Sequence, residues 1–233
     1  MKSVVRLVLA VFGIAAGLSP ALASDIPGPR RVEMAPVRGP AVLPFHWGGL
    51  YAGVNIGGGW ANDNVDGILG GAQIGYNWQV GQLVFGIETD IQISGLSGTL
   101  VRPASGGNVL NETQDLDWLG TTRARIGYAV WDRWLPYFTV GIGYGTRSVR
   151  GTALTGAGAV LGSYSSDDTG AGLAIGVGVD YAINPWWSAR LEYLHVSLDG
   201  FNRTYAFPPA VTASYGDLDI NIFRGALNYR LMP

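Results

Sequence analysis

From Trp47 onward, apolar and polar positions alternate with a period of two, the periodicity of strands whose faces meet different surroundings. Eight such runs are predicted, over 48–60, 67–79, 82–94, 116–130, 134–149, 168–182, 186–200 and 216–231. In "LVFGIETDIQI" (83–93), Leu83, Phe85, Ile87, Thr89, Ile91 and Ile93 share one face, and Val84, Gly86, Glu88, Asp90 and Gln92 share the other. In "AGLAIGVGVDY" (171–181), Leu173, Ile175, Val177, Val179 and Tyr181 oppose Gly172, Ala174, Gly176, Gly178 and Asp180. In "TTRARIGYAV" (121–130), Arg123 and Arg125 stand together opposite Thr122, Ala124, Ile126, Tyr128 and Val130. One face of each run is a broad aliphatic and aromatic strip; its reverse is glycine, small polar groups and charge.

The connections alternate as well. Tight turns are predicted at "VG" (80–81), "WDR" (131–133) and "INP" (183–185), and longer links rich in Gly, Ser, Asn and Asp at 61–66, 95–115, 150–167 and 201–215. Short turns at one end and long loops at the other, on an even number of strands, are the plan of an all-β, eight-stranded antiparallel up-and-down transmembrane barrel with periplasmic turns and extracellular loops. Each run exceeds the roughly 9–11 residues that a tilted membrane strand needs. Trp47, Trp78, Trp131, Trp134, Trp186, Trp187 and Tyr229 fall at the short-turn end, where an aromatic girdle at the headgroup level is expected, and Trp60 and Trp118 fall at the long-loop end.

This reading decides which face is inside. Lipid takes the apolar strip, so the charges look into the lumen, and closure leaves no strand edge unpaired in hydrocarbon. Glu88, Asp90, Arg123, Arg125, Arg190, Glu192 and Arg224 are predicted to form a lumen charge network. An eight-stranded barrel is just wide enough for side chains to fill. Inside it a lone charge costs several kcal/mol, so the groups are expected to pair. The same network could instead line a small-solute or ion pore.

Composition narrows the picture further. Only 14% of the 233 residues are charged, against about a quarter in an ordinary soluble domain, and the net charge is −2, which gives no pull toward nucleic acid. Cysteine is absent and only His46 and His195 are present, so thiol chemistry is excluded and nothing calls for a metal or other cofactor. At the N-terminus, Lys2 and Arg6 precede the apolar "LVLAVFGIAAGL" (7–18) and the small-residue "ALA" (21–23), the pattern of a cleaved signal peptide over residues 1–23. Pro27, Pro29, Pro36, Pro40 and Pro44 then break residues 24–46 into a Pro-rich periplasmic linker, leaving residues 47–233 as the barrel domain.

Several stretches carry a family resemblance: "WGGLYAGVNIGGGW" (47–60), "GGAQIGYNWQVGQLVFGIETDI" (70–91), "LDWLGTTRARIGYAV" (116–130), "LPYFTVGIGYG" (135–145), "NPWWSARLEYLHVSLDG" (184–200) and "FRGALNYRL" (223–231). In this order they resemble the small outer-membrane beta-barrel proteins of alphaproteobacteria, the OmpA-like "porin family". The resemblance implies an outer-membrane location and a part in envelope integrity or surface interaction rather than catalysis. The partners it suggests are outer-membrane lipids and lipopolysaccharide, the outer-membrane assembly machinery, and host or phage surfaces met through the loops. Chains of that family usually end on an aromatic residue; this one ends "NYRLMP", with Leu231 in the outward register.

Two other readings stand beside it. His195 and Ser197 share one face, an arrangement reminiscent of lipid A-modifying hydrolases, with Asp217 or Asp219 as the acid that would orient the histidine. A soluble periplasmic barrel binding an apolar lipid would need the opposite sidedness, with the apolar strip inside and the charges on a wet exterior.

Overall fold

The computed structural model describes residues 45–61, 65–103, 105–205 and 211–231. The expected signal peptide (1–23), the linker up to residue 44, and Met232 and Pro233 at the C-terminus lie outside the described residues. The strands are β1 (Gly49–Ala61), β2 (Asp66–Val80), β3 (Leu83–Pro103), β4 (Val109–Tyr128), β5 (Trp134–Leu154), β6 (Val160–Ala182), β7 (Trp187–Leu198), β8 (Phe201–Tyr205), β9 (Val211–Tyr215) and β10 (Leu218–Arg230). Eight of them close a barrel in the order β1-β10-β7-β6-β5-β4-β3-β2, and every neighbouring pair is antiparallel. The β1–β10 ladder, from Tyr51 opposite Arg230 to Ala61 opposite Ile220, joins the first run to the last.

The tight turns stand where alternation lapses. Gly81 takes the left-handed conformation at φ 61°, which costs a glycine little. At the next turn, Trp131 (φ 46°) and Asp132 (φ 62°) take it too, held by the paired hydrogen bonds between Val130 and Trp134.

Two expected loops are strands instead. Residues 95–103, 109–115, 150–154 and 160–167 continue β3, β4, β5 and β6, and β8–β9 forms a separate hairpin within the fourth loop. The β4 continuation is hidden by a bulge. Its buried positions are odd from Leu119 to Arg125 and even from Leu110 to Leu116, and the register slips against β5 between Leu116 and Trp118. An extra residue reverses the facing of everything beyond it, so a strict period-two reading stops there. The β5 and β6 continuations carry Thr152, Ser163, Ser165, Ser166 and Asp167, which leave little apolar contrast to read.

β1, β2, β7 and β10 stop near Ala61, Asp66, Leu198 and Leu218, so one side of the wall projects past the other. At about 3.3 Å per residue the projection adds roughly 20–35 Å of strand. On its inner face Leu110, Val149 and Ala153 are buried, and β9 touches the short helical turn at Ser105–Gly107.

The interior is stacked in tiers. At the short-turn end Trp47, Val84, Leu135 and Ala182 pack together with Phe45 against them. The charged residues occupy the middle. At the long-loop end an aliphatic tier gathers Leu69, Leu96, Leu116, Leu119, Leu194, Val196, Leu218, Ile220 and Ile222. That upper tier departs from the expected lumen of glycine, polar groups and charge. It reflects an inversion along the strands. On β7, Arg190 and Glu192 point in while Leu191 and Tyr193 point out; further on, Leu194, Val196 and Leu198 point in while His195 and Ser197 point out. β10 does the same, with Arg224 inward and Phe223 outward, then Ile222, Ile220 and Leu218 inward and Asn221 and Asp219 outward. On β7 and β10 the outward face is thus apolar below and polar above, while the neighbouring β6 keeps Leu173 exposed opposite Ser197.

Candidate functional site

The centre of the lumen is a cluster of opposed charges. Three pairs face each other directly across a ladder: Glu88 with Arg123, Glu192 with Arg224, and Asp180 with Arg190. Opposite charges at such positions stabilise a sheet, and curling the wall into a barrel brings the pairs together across the lumen. Arg123 is the hub. Its guanidinium donates to Glu88 (2.9 Å), Asp90 (2.8 Å), Glu192 (2.9 Å) and the Thr121 hydroxyl (2.8 Å). Arg224 donates to Asp90 (2.9 Å) and, through Nε, to Glu192 (2.7 Å). On the short-turn side, Arg125 donates to Asp180 (2.7 Å), and Arg190 donates to Asp180 (2.6 Å, Nε) and to Glu88.

Asp180 completes the set. The seven residues expected from sequence hold four arginines and three carboxylates, a surplus of one positive charge. With Asp180 the charges of Arg123, Arg125, Arg190 and Arg224 are matched by those of Glu88, Asp90, Asp180 and Glu192. All eight residues are no more than 5% exposed. Neutrality was the signal available in the sequence: Asp180 lies on the glycine face of β6, and a dry lumen cannot hold an odd charge cheaply.

Two tyrosines that the sequence reading did not single out tie the cluster to the wall. Tyr51 donates to Glu88 (2.5 Å) and accepts from Arg125 (3.1 Å), while Tyr137 donates to Glu192 (2.8 Å). The Arg125 guanidinium carbon lies 3.9 Å from the centre of the Tyr137 ring, a cation–π distance. Both rings lie flat over glycines on the neighbouring strand: a Cβ at Gly75 would collide with Tyr51, and one at Gly178 with Tyr137. Gly75→Ala is therefore expected to overpack the lumen and destabilise the barrel by about 1–3 kcal/mol, measured as a lower urea midpoint in detergent.

Beside the charges, Asn55 donates to Gln73 (3.0 Å) and Gln73 to Asn228 (2.6 Å). The cavity bordered by Trp47, Tyr51, Asn77, Asp180, Arg190 and Arg230 measures about 10 Å³, the space of a single water.

The expected girdle divides. Trp78, Trp131, Trp134, Trp186, Trp187 and Tyr229 lie on the outside of the short-turn end, from 38% exposed at Tyr229 to 85% at Trp131. Trp187 meets Tyr229 edge-on at 5.0 Å, and Trp134 lies 4.8 Å from Tyr181. Trp47 is a correction: it is 3% exposed and closes the lumen from below. It has the parity of the inward residues Tyr51 and Asn55, so the chain enters β1 from inside the wall. Its amide donates to Gln79 (2.5 Å), its carbonyl accepts from Asn77 (3.3 Å), and its ring meets Phe45 edge-on at 4.7 Å. Arg230 holds the same segment, donating to the Gly48 carbonyl (2.7 Å) above the Phe45 ring.

His195 and Ser197 are outward, but His195 is engaged elsewhere. Its Nδ1 is 3.0 Å from Asn221 Oδ1 and its Nε2 is 3.9 Å from Asp219, while Asp217 accepts from the Gly200 amide (3.0 Å).

The chain is similar to known outer-membrane proteins. The chain is 36% identical over 186 residues to the 31 kDa outer-membrane immunogenic protein of Brucella melitensis biotype 1, covering 70% of this chain and 76% of that protein. It is 32% identical over 153 residues to the 22 kDa outer membrane protein of Rhizobium leguminosarum bv. viciae, covering 63% and 62%. Among solved structures, the outer membrane protein OprG from Pseudomonas aeruginosa aligns over 80% of this chain and 97% of its own, at 11% identity and a TM-score of 0.45. The model of the outer membrane protein beta-barrel domain matches residues 45–230. The chain belongs to that family, and its barrel sits in the outer membrane.

Proposed function

We propose that the protein is a structural barrel of the outer membrane that supports envelope integrity and offers its projecting β3–β6 sheet and β8–β9 hairpin to surface partners, including host cells or phage. In this reading it is exported by a cleaved signal peptide, its lumen does not conduct, and it carries no catalytic site. The observation that carries the reading is the filled interior, in which a neutral cluster of eight buried charged groups lies between two apolar tiers. Arginine and carboxylate groups bound to one another are poor ion ligands, because each would have to leave a partner to admit a passing ion. The engagement of His195 by Asn221 rather than Ser197 speaks against a hydrolase. In this reading outer-membrane lipids and lipopolysaccharide surround the apolar wall, and the assembly machinery inserts a barrel whose β10 exposes Phe223 and Tyr229.

Planar-bilayer recording of the refolded barrel tests this reading. The expected trace shows no steady conductance above the bare bilayer. A reproducible, ion-selective conductance that changes when Arg123 is replaced would overturn it in favour of a small-solute pore.

A further inference from the structure

The inversion of sidedness places one polar group of side chains at a defined height. Trp60 on β1, Asn221 on β10 and His195 on β7 stand directly opposite one another across two ladders. Ser197 and Asp219 form the next pair toward the loops, and Tyr193 and Phe223 the next pair toward the membrane. Asn221 Oδ1 accepts from the Tyr193 hydroxyl (2.7 Å) and meets His195 Nδ1 (3.0 Å), so one amide oxygen fixes both neighbours. The Trp60 and Tyr193 rings lie 6.4 Å apart at 43° and are 50% and 39% exposed. The side chains of His195 and Asp219 are 33% and 49% exposed.

We propose that this patch binds the sugar headgroup of an outer-leaflet glycolipid. Three features select that ligand class. Two half-exposed aromatic faces can pack against the C–H face of a sugar ring, while His195, Ser197 and Asp219 supply hydrogen-bonding groups for its hydroxyls and amides. The patch contains no Lys or Arg and does contain Asp219, which favours hydroxyl and amide groups over phosphate. Immediately below it Phe223, Leu191, Val177 and Leu227 are exposed and apolar, a lane for acyl chains belonging to the same molecule. A free sugar uses only the upper half of this surface; a glycolipid uses both. Aromatic rings occur at any membrane interface, but here they are joined to a polar row.

The proposal adds a ligand to the surface role above and rests on that reading. Its failure would leave the barrel folded and non-conducting but without lipid preference, whereas failure of the structural reading would appear as a conducting lumen in the bilayer recording.

The test uses the full barrel refolded in detergent with lipid A stripped of its phosphates, an acylated glucosamine disaccharide, and counts retained lipid by native mass spectrometry. The wild type is expected to retain this lipid. Trp60→Ala and Asn221→Leu are expected to retain at least tenfold less while keeping the heat-dependent gel shift of a folded barrel. Tyr193→Phe, which removes only the hydroxyl, is expected to fall between them and the wild type. Trp118→Ala is the control, because Trp118 pairs with Tyr144 (6.0 Å) on the β4–β5 side of the ring, away from the patch. Equal loss in Trp118→Ala would reduce the patch to an ordinary aromatic belt and overturn the proposal, as would unchanged retention in Trp60→Ala and Asn221→Leu. Displacement by the acyl-free disaccharide at equal concentration would overturn the glycolipid source. Displacement by phosphatidylglycerol would overturn the sugar assignment.

Discussion

Arg123→Ala is expected to cost the barrel about 3–5 kcal/mol, the penalty for breaking a buried ion pair and leaving charge behind. Arg123 contacts three carboxylates, Glu88, Asp90 and Glu192, and is 1% exposed, so its removal strands negative charge that water cannot reach. The measurement is equilibrium urea unfolding of the refolded barrel, followed by tryptophan fluorescence. Charge balance, not the count of hydrogen bonds, should govern the outcome. Arg224→Met alone leaves Glu192 and Asp90 short of a partner, whereas Arg224→Met with Glu192→Met removes one directly opposed pair and keeps the remaining charges neutral. The double variant is therefore expected to be more stable than the sum of the two single variants implies, by about 1–3 kcal/mol. A cost below about 1 kcal/mol for Arg123→Ala is what a wet, solvent-screened cluster would give.

The second large effect lies on the outer face of the strand beside Arg123, β3. Ile87 is 50% exposed, near the middle of the outward run Leu83–Ile93 that forms the lower part of β3. In lipid, Ile87→Arg is expected to cost about 2–4 kcal/mol, the price of a cation near the bilayer midplane. Val101 is 68% exposed on the same strand, but in the projecting part, and Val101→Arg is expected to change stability by less than about 0.5 kcal/mol. Two exposed aliphatic positions on one strand thus respond differently because one meets hydrocarbon and the other meets water. A soluble barrel would treat them alike. Unfolding the two variants in urea from phospholipid vesicles decides the matter.

Much of this architecture can be read from alternation alone, because lipid and a narrow lumen impose opposite demands on successive residues. Arg123 and Arg125, two apart in an apolar strand, already indicate the lumen side. Alternation failed where its assumption failed. It lost β4 at Asp117, where the bulge reverses the facing of the strand. It lost the upper ends of β5 and β6, where both faces are polar. It also missed the aliphatic tier, because the lumen face was expected to be glycine, small polar groups and charge along its whole length, whereas Leu194, Val196, Ile220 and Ile222 fill its upper part as in a soluble barrel. Trp47 was placed by its neighbourhood rather than its parity. Asp180 was visible as a residue but not as a necessity until the charges were summed. Tyr51 and Tyr137 needed the closed structure, since no sequence pattern shows which ring will lie over which glycine.

The height at which the wall changes sidedness carries the account, and spin-label accessibility measures it most directly. The chain has no cysteine, so single cysteines can be introduced at Leu227, Phe223, Ser197 and Asp219 without background labelling. In reconstituted vesicles, labels at Leu227 and Phe223 are expected to collide mainly with oxygen, which concentrates in lipid, and labels at Ser197 and Asp219 mainly with a water-soluble nickel chelate. Access of the chelate to Leu227 as ready as to Asp219 would contradict the account, because the apolar wall would then face water.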